Sequence, residues 1–519
     1  MRQDLQTAPG SKPESHEIEL KFFTTESGFK SSQEWPALAA APKRRNAQRL
    51  ITQYYDTEDA DLERHNMVLR VRKQGRSHIA TLKWNGDFSG GMFERGEIEA
   101  VSPGPEPDPG LFEPEYAAML AEIVQGKALL PIYETDIRRI TRRVTSESSD
   151  IEVAFDAGFI RAADQTSPVR EIELELKSGN PAELFRLGMA LAESYPVRLG
   201  IQAKSQRGLQ LRSGAPPSVI RAASSLEGNP TVDDAIGALI NACMAQFIGN
   251  FPAFELGDAV AAVHQMRVAM RRLRAVLKLF RRGFPCAEFT GFGSQAKQIA
   301  ATLGEARNWD VFLQMLRDGP AAAFPEQPGF APIFAAAEQH RAAACEAIRN
   351  LLASPETTCF VLSIQAFVAR RGWRNALSGD ALARLTEPAR LFAGANLHRM
   401  HGKLLKRGKH LQSLPPHQRH EVRISLKNIR YAADLFGGLF ENRKELRDFL
   451  RHTAKLQDLL GSYNDLITAM DMLGKFDSSG QSENYAAGII AGWCRHGAMP
   501  NDEVLLKAWK KFRKTRLLA

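Results

Sequence analysis

The sequence predicts an α+β chain of two unlike halves: a β-rich N-terminal domain followed by an all-α domain. Three observations carry this. Short alternating apolar and polar runs, the mark of half-buried strands, recur up to about residue 180. Beyond RSGAPPSVIRAASSLEGNP (212–230) the pattern changes to long Ala-, Leu- and Arg-rich helical periods. Charge divides at the same place: 28 Lys+Arg against 32 Asp+Glu up to Arg212, and 40 against 27 after it, within a total of +9. The basic half calls for a polyanion such as nucleic acid, an acidic membrane or polymeric phosphate.

The expected strands are 16–23, 49–56, 67–74, 77–84, 92–100, 132–144, 149–160 and 169–177. Asn85-Gly86, Gly90-Gly91 and Ala157-Gly158 are turn signals between or within them. VSPGPEPDPG (101–110) reads as a loop with a short helix after it, and 181–194 reads as a helix. The N-terminus lacks the apolar core of a secretory signal, no run approaches bilayer length, and five scattered cysteines without CxxC spacing fit a reducing cytoplasm.

EIELK (17–21) and EIELELK (171–177) place Glu17, Glu19, Lys21, Glu171, Glu173, Glu175 and Lys177 on single strand faces. Arg70 and Arg72, Lys83, Glu97 and Glu99, Arg139 and Arg143, and Glu152 and Asp156 do the same on other strands, and Lys204 follows in the short segment IQAKSQRG. One charged face is ordinarily solvated. So many of them fit a closed eight-stranded barrel with its polar side inward and helices over its apolar outside. Enclosed acids and bases must neutralise one another or a ligand, and a metal–polyphosphate complex satisfies both kinds.

These motifs resemble the CYTH domain of the triphosphate tunnel metalloenzymes. ExExK stands at 17–21, followed by YYDT (54–57), LRVR (69–72), TLK (81–83), RGEIE (95–99), EIELELK (171–177) and AKSQRG (203–208). The resemblance implies an eight-stranded antiparallel tunnel, open at both ends, that hydrolyses tripolyphosphate substrates with Mg²⁺ or Mn²⁺. It implies metal at Glu17, Glu19, Glu173 and Glu175, and phosphate at Lys21, Arg70, Arg72, Lys83, Arg139 and Lys204. Glu97, Glu99, Glu152 and Asp156 belong to looser motifs of the same tunnel. No Walker A or HExxH sequence is present.

The second half contains a repeat. HQMRVAMRRLRAVLKLF (264–280) aligns with HEVRISLKNIRYAADLF (420–436), and LGEARNWDVF (303–312) with LGSYNDLITA (460–469), so two related helical bundles in tandem are expected. His264, Arg267, Arg271, Arg274 and Lys278 share one helix face, and His420, Arg423, Lys427 and Arg430 repeat the first four positions. VHQMRVAMRRLR (263–274) and RHEVRISLKNIRY (419–431) resemble the CHAD domain. That resemblance implies two pseudo-symmetric four-helix bundles and long-chain polyphosphate in a basic cavity. Without interleaved aromatics to stack bases, nucleic acid is not the expected partner. His398-x-x-His401 has a metal-like spacing but no matching third ligand.

The sequence reading therefore divides the chain into a CYTH domain at 13–212, a linker at 213–227 and a CHAD domain at 228–519. The expected function is metal-dependent hydrolysis of inorganic triphosphate to pyrophosphate and phosphate. The alternatives are thiamine triphosphate or a nucleoside triphosphate as substrate, cyclisation of ATP, or a non-enzymatic polyphosphate scaffold. The expected location is the cytoplasm, with polyphosphate granules as an associated compartment and no membrane partner.

Overall fold

A computed structural model describes residues 15–39, 47–89, 92–146, 149–222, 226–476, 481–497 and 502–515. The predicted turn at Gly90-Gly91 and part of the 213–227 linker lie outside them. The chain forms two compact units, residues 1–217 with 352–370, and 218–351 with 371–519.

Among the described residues the first unit is built on nine strands: β1 (Ser15–Thr24), β2 (Gln48–Asp56), β3 (Val68–Gln74), β4 (Ser77–Ser89), β5 (Met92–Ser102), β6 (Leu130–Ser146), β7 (Ser149–Ala162), β8 (Gln165–Ser178) and β9 (Val197–Leu199). They pair antiparallel in the order β5-β4-β3-β2-β6-β7-β8-β1-β9, and β1 also pairs with β5. All eight expected strands are present. The ninth, only three residues long, has no alternation to reveal it. Asn85-Gly86 is no turn but lies within β4, where the β4–β5 register shifts between Trp84 and Asp87. Gly158 sits inside β7, where a Cβ would fall 2.0 Å from the Asp136 carbonyl oxygen of β6.

Alternation places apolar side chains on the outside of this sheet, under helices. Helix Pro114–Val124 contributes Leu120 and Val124 to a core with Leu69, Val71, Ala80 and Leu82. Helix Pro181–Ser194 buries Leu184, Phe185, Leu187 and Leu191 and packs on β1 and β8. Lys204, read as part of a strand-like series, instead begins helix Lys204–Ser213, so it enters the site from a helix N-terminus.

The segment 352–370, assigned by sequence to the helical half, belongs to the first unit. Its helix Pro355–Ala369 packs against helix Pro181–Ser194 and β9. Periodicity identifies an apolar helix but cannot say which core receives it.

In the second unit, helix Ala259–Arg281 packs on Val232–Ile248 and Ala287–Asp318, and helix Pro416–Leu435 packs on Ala389–Arg407 and Arg443–Leu459. The repeat thus recurs as contacts. Arg267 packs over Gly304, its guanidinium Nε 3.3 Å from where a Cβ would stand, and Arg423 packs over the matching Gly461 at 3.7 Å. The copies differ in their continuation: the first runs as one helix through Leu303-Gly304, whereas the second breaks between Leu459 and Ser462. Among the described residues one stretch, Val232–Leu256, does reach bilayer length and apolarity, contrary to the reading of the sequence; 61% of its apolar window is buried within the protein.

Candidate active site

The inward faces of the strands and Lys204 enclose a cavity of about 460 Å³ in the first unit. All fourteen residues that the CYTH resemblance assigns to the tunnel line it: Glu17, Glu19, Lys21, Arg70, Arg72, Lys83, Glu97, Glu99, Arg139, Glu152, Asp156, Glu173, Glu175 and Lys204. Arg143 does not; it pairs with Asp150 outside. Glu171 has no place in the cavity wall either. It is 0% exposed and pairs with Lys204 at 2.7 Å and Arg207 at 2.6 Å. Lys177, named on the same face as Glu173 and Glu175, lines the cavity too, and so do Thr52, Tyr54 and Thr135, which the sequence did not single out. Their signal in the sequence was position: each shares its strand's inward parity.

The charges are interleaved. Lys21 Nζ lies 2.7 Å from Glu19 and 2.5 Å from Glu173, and Lys83 Nζ lies 2.7 Å from Glu17 and 2.9 Å from Glu97. Arg139 grips Asp156 through two bonds of 2.7 and 2.6 Å and reaches Glu173 at 2.5 Å. Lys204 joins Asp156 and Glu173, both at 2.8 Å. Glu19, Lys21 and Asp156 are 2%, 3% and 0% exposed, so each ion pair has to offset desolvation.

Proton affinities follow from this network. Burial pushes the Glu173 carboxyl up, but Lys204, Lys21 and Arg139 outweigh it and hold it well below the usual carboxylate range. Lys204, despite burial, is held well above the usual ammonium range by Asp156, Glu171 and Glu173. Glu175 goes the other way. Burial raises it, and the neighbouring Glu17 and Glu19 charges add to that against the pull of Lys177.

Arg72 is the exception among the cations. No described carboxylate reaches ion-pair distance, its buried Nε has no hydrogen-bond partner, and burial followed by Arg70 and Arg139 pushes its pKa down to about 10. Burial pushes the Tyr54 phenol up, but Arg70, Arg72 and Lys204 hold it below its ordinary value; its ring stacks on Tyr133 with centroids 4.4 Å apart.

Do these residues fit a divalent metal? Among the described residues no three His, Cys, Asp or Glu side chains converge as a finished ligand set. The donor chemistry nevertheless fits a hard cation. Glu17 and Glu19 press their charges on Glu175, while Glu173 is already taken by three cations. The described lining holds eight carboxylates and seven cationic side chains, so a polyphosphate entering without cations would leave a large uncompensated negative charge.

The basic helix faces lie in the second unit. His264, Arg267 and Arg271 are half-buried, Arg274 and Lys278 exposed; His420 is exposed, and Arg423, Lys427 and Arg430 are half-buried. Burial, then Arg271, and further Arg307 and Arg423 push the Arg267 guanidinium down, so side chains of both repeat copies act on it. Arg274, exposed overall but partly desolvated at its guanidinium, is likewise pushed down, by that desolvation and by Arg271. Arg307 joins this group without having been singled out in the sequence, because it stands on the neighbouring helix. Arg430 donates to Gln457 at 2.7 Å. His401 is buried beside Phe449 and Phe512 while His398 is exposed, and among the described residues no third ligand joins them.

Fold and cavity together define a protein whose β unit encloses interleaved acids and bases and whose helical unit carries two basic faces. Residues 15–208 match the CYTH domain model and 238–474 the CHAD domain model, so the chain carries a CYTH domain followed by a CHAD domain. An inorganic triphosphatase of Haemophilus influenzae is 35% identical over 165 residues, 31% of this chain and 45% of that protein. An uncharacterised Mycobacterium tuberculosis protein is 26% identical over 321 residues, 58% of this chain and 59% of its own length. The matches thus span about half the length of these relatives. The crystal structure of the CHAD domain from the plant Ricinus communis is similar with a TM-score of 0.50 and 26% identity, covering 58% of this chain and 99% of that one.

Proposed function

We propose that the protein hydrolyses inorganic triphosphate to pyrophosphate and phosphate in the cavity of its β unit, with Mg²⁺ or Mn²⁺. The observation that carries this reading is the interleaving of eight carboxylates with seven cations around one cavity, with Arg72 lacking an acidic partner. In this reading the β1–β5 pairing closes eight strands into a tunnel. The similarity to an inorganic triphosphatase over the same part of the chain supports it.

Glu17, Glu19 and Glu175 would hold the metal, with Glu173 beside them. When bound, the metal polarises the phosphates and supplies an activated water. Lys21, Lys83, Arg139 and Lys204 exchange carboxylate oxygens for phosphate oxygens, a near-balanced swap of charge-assisted hydrogen bonds. Arg70 and Arg72 meet the far phosphates, where Arg72 gains the anion it lacks. Water attacks the terminal phosphorus, the bridging P–O bond breaks, and the cations neutralise charge on the departing pyrophosphate.

In the helical unit, the two basic faces would bind long-chain polyphosphate, arranged as two four-helix bundles of the repeat. The group around Arg267, where like charges depress one another, supports a polyanion site. We place the protein in the cytoplasm.

Tyr54 is the one aromatic side chain among the described lining residues, and its ring is already stacked on Tyr133. This favours inorganic triphosphate over ATP or thiamine triphosphate, which need a surface for a base or ring. Phosphate release from a panel of the three substrates, with Mg²⁺ and with Mn²⁺, tests the reading. Inorganic triphosphate should be the preferred substrate with either metal. Preference for ATP would replace the substrate, and no release from any would leave a binding scaffold.

A further inference from the structure

The ExExK strand is gripped from behind by a helix that comes from the other half of the sequence. Along β1, Glu17, Glu19 and Lys21 face the cavity, while Leu20 and Phe22 point the opposite way and are 0% exposed. They meet Gly188, at the middle of helix Pro181–Ser194. A Cβ on Gly188 would lie 3.0 Å from Phe22, 3.1 Å from Leu20 and 3.3 Å from Leu362. Leu362 is fully buried on helix Pro355–Ala369, which buries Phe360, Val361 and Ile364 as well. The same helix touches β9, which pairs with β1 through Phe22–Leu199 and Thr24–Val197.

From this packing we infer that helix Pro355–Ala369 is a positioning element of the cavity, acting through Leu362 and Gly188 on β1. The inference deepens the proposed function and rests on it for the role of Glu17 and Glu19. Its physical basis is the close packing of a side-chain stack with no slack. Leu362, Gly188 and Leu20–Phe22 form three layers, and the strand's other face carries the carboxylates. A void at Leu362 is filled by inward relaxation of the helix Pro181–Ser194 and then of β1. The carboxylates most affected are those that have to converge on a hard cation, a geometry that tolerates little displacement. The helix lies within the residues that match the CHAD domain, so the ExExK strand depends on a segment outside the sequence span of its own domain.

The test uses the full-length chain carrying Leu362→Ala, with Leu362→Val as a milder version and Leu120→Ala as a comparison. Leu120 is equally buried, but on the helix over β3 to β5. Hydrogen exchange in metal-free protein reads the strand directly. Amides of residues 18–23 should exchange roughly tenfold faster in Leu362→Ala while those of 69–82 hardly change, and Leu120→Ala should show the reverse. In phosphate release from triphosphate, Leu362→Ala should raise the metal concentration for half-maximal rate roughly threefold or more, with Leu362→Val shifting it less in the same direction. Should Leu362→Ala not fold, the Leu362→Val protein carries the same two comparisons. Equal acceleration in all strands, or metal activation no different from that of Leu120→Ala, would reduce Leu362 to ordinary core and overturn the inference. If no substrate is hydrolysed at all, the proposed function fails, while the exchange measurement still decides whether the helix positions β1.

Discussion

The cavity of the β unit and the basic faces of the helical unit are both rich in Lys and Arg, but they solve opposite problems. In the cavity five of the seven cations have a carboxylate within 3 Å, and Lys204 and Arg139 are held above their ordinary proton affinities. On the helices cations stand beside cations, and Arg267 and Arg274 are pushed down. The first site is pre-balanced and must trade partners to admit a ligand. The second is short of negative charge and gains by taking a polyanion as it is. A pre-balanced site suits selective binding of a metal-loaded phosphate; an unbalanced one suits a long anion read only by charge.

The largest effect should follow from breaking the acidic side of the cavity. Glu17→Gln should lower turnover of triphosphate by a hundredfold or more, since it removes a charge from the hard-cation donors. Retained turnover at ordinary metal concentration would place the chemistry elsewhere. On the helical side, Arg271→Ala with Lys427→Ala should weaken long-chain polyphosphate binding by about a hundredfold, at roughly 1.5 kcal/mol or more per charge-assisted contact. Triphosphate hydrolysis should stay as it was. That binding should fall steeply with salt, and single-stranded DNA of equal affinity would reduce the site to generic attraction.

A smaller effect is expected where the two kinds of site meet in character. Arg72→Lys keeps the charge but loses the fork, so KM for triphosphate should rise roughly tenfold with kcat less affected. An unchanged KM would mean that Arg72 faces no phosphate.

The smallest effect is a pH dependence. Burial, then Arg307, Arg267, Arg271 and Arg221, keep the His264 imidazole below its ordinary value and therefore neutral at pH 7. A polyanion favours the imidazolium, so binding takes up a proton and affinity rises as pH falls through the ordinary histidine range. Between pH 7.5 and 5.5 we expect about threefold tighter polyphosphate binding, lost in His264→Gln. Equal pH profiles for the two proteins would remove His264 from the site.

The site of the β unit was legible because strand periodicity is two: once one inward residue is known, its neighbours at even spacing follow. That is why Arg70 with Arg72 and Glu173 with Glu175 all reach the cavity. The same rule overshot at Glu171, which has the right parity but sits where helix Lys204–Ser213 covers the strand, with Arg207 against it. It was silent on Lys204, whose position depends on a helix start. In the helical unit the repeat exposed the two basic faces, but not Arg307, which joins them from a neighbouring helix. Least legible was helix Pro355–Ala369. Its apolar face is plain in the sequence, yet only packing shows that it joins the β unit.

The proposed division of labour in the cavity gives the carboxylates to metal and the cations to phosphate. Calorimetric titration of Mn²⁺ into the full-length protein, wild type and Glu19→Gln, in the presence of pyrophosphate tests it most directly. Wild type should bind Mn²⁺ at least roughly tenfold more tightly than the variant, while pyrophosphate binding without metal should be retained or tighter in Glu19→Gln, where Lys21 loses one competing partner. Equal Mn²⁺ affinity in the two proteins would contradict the account.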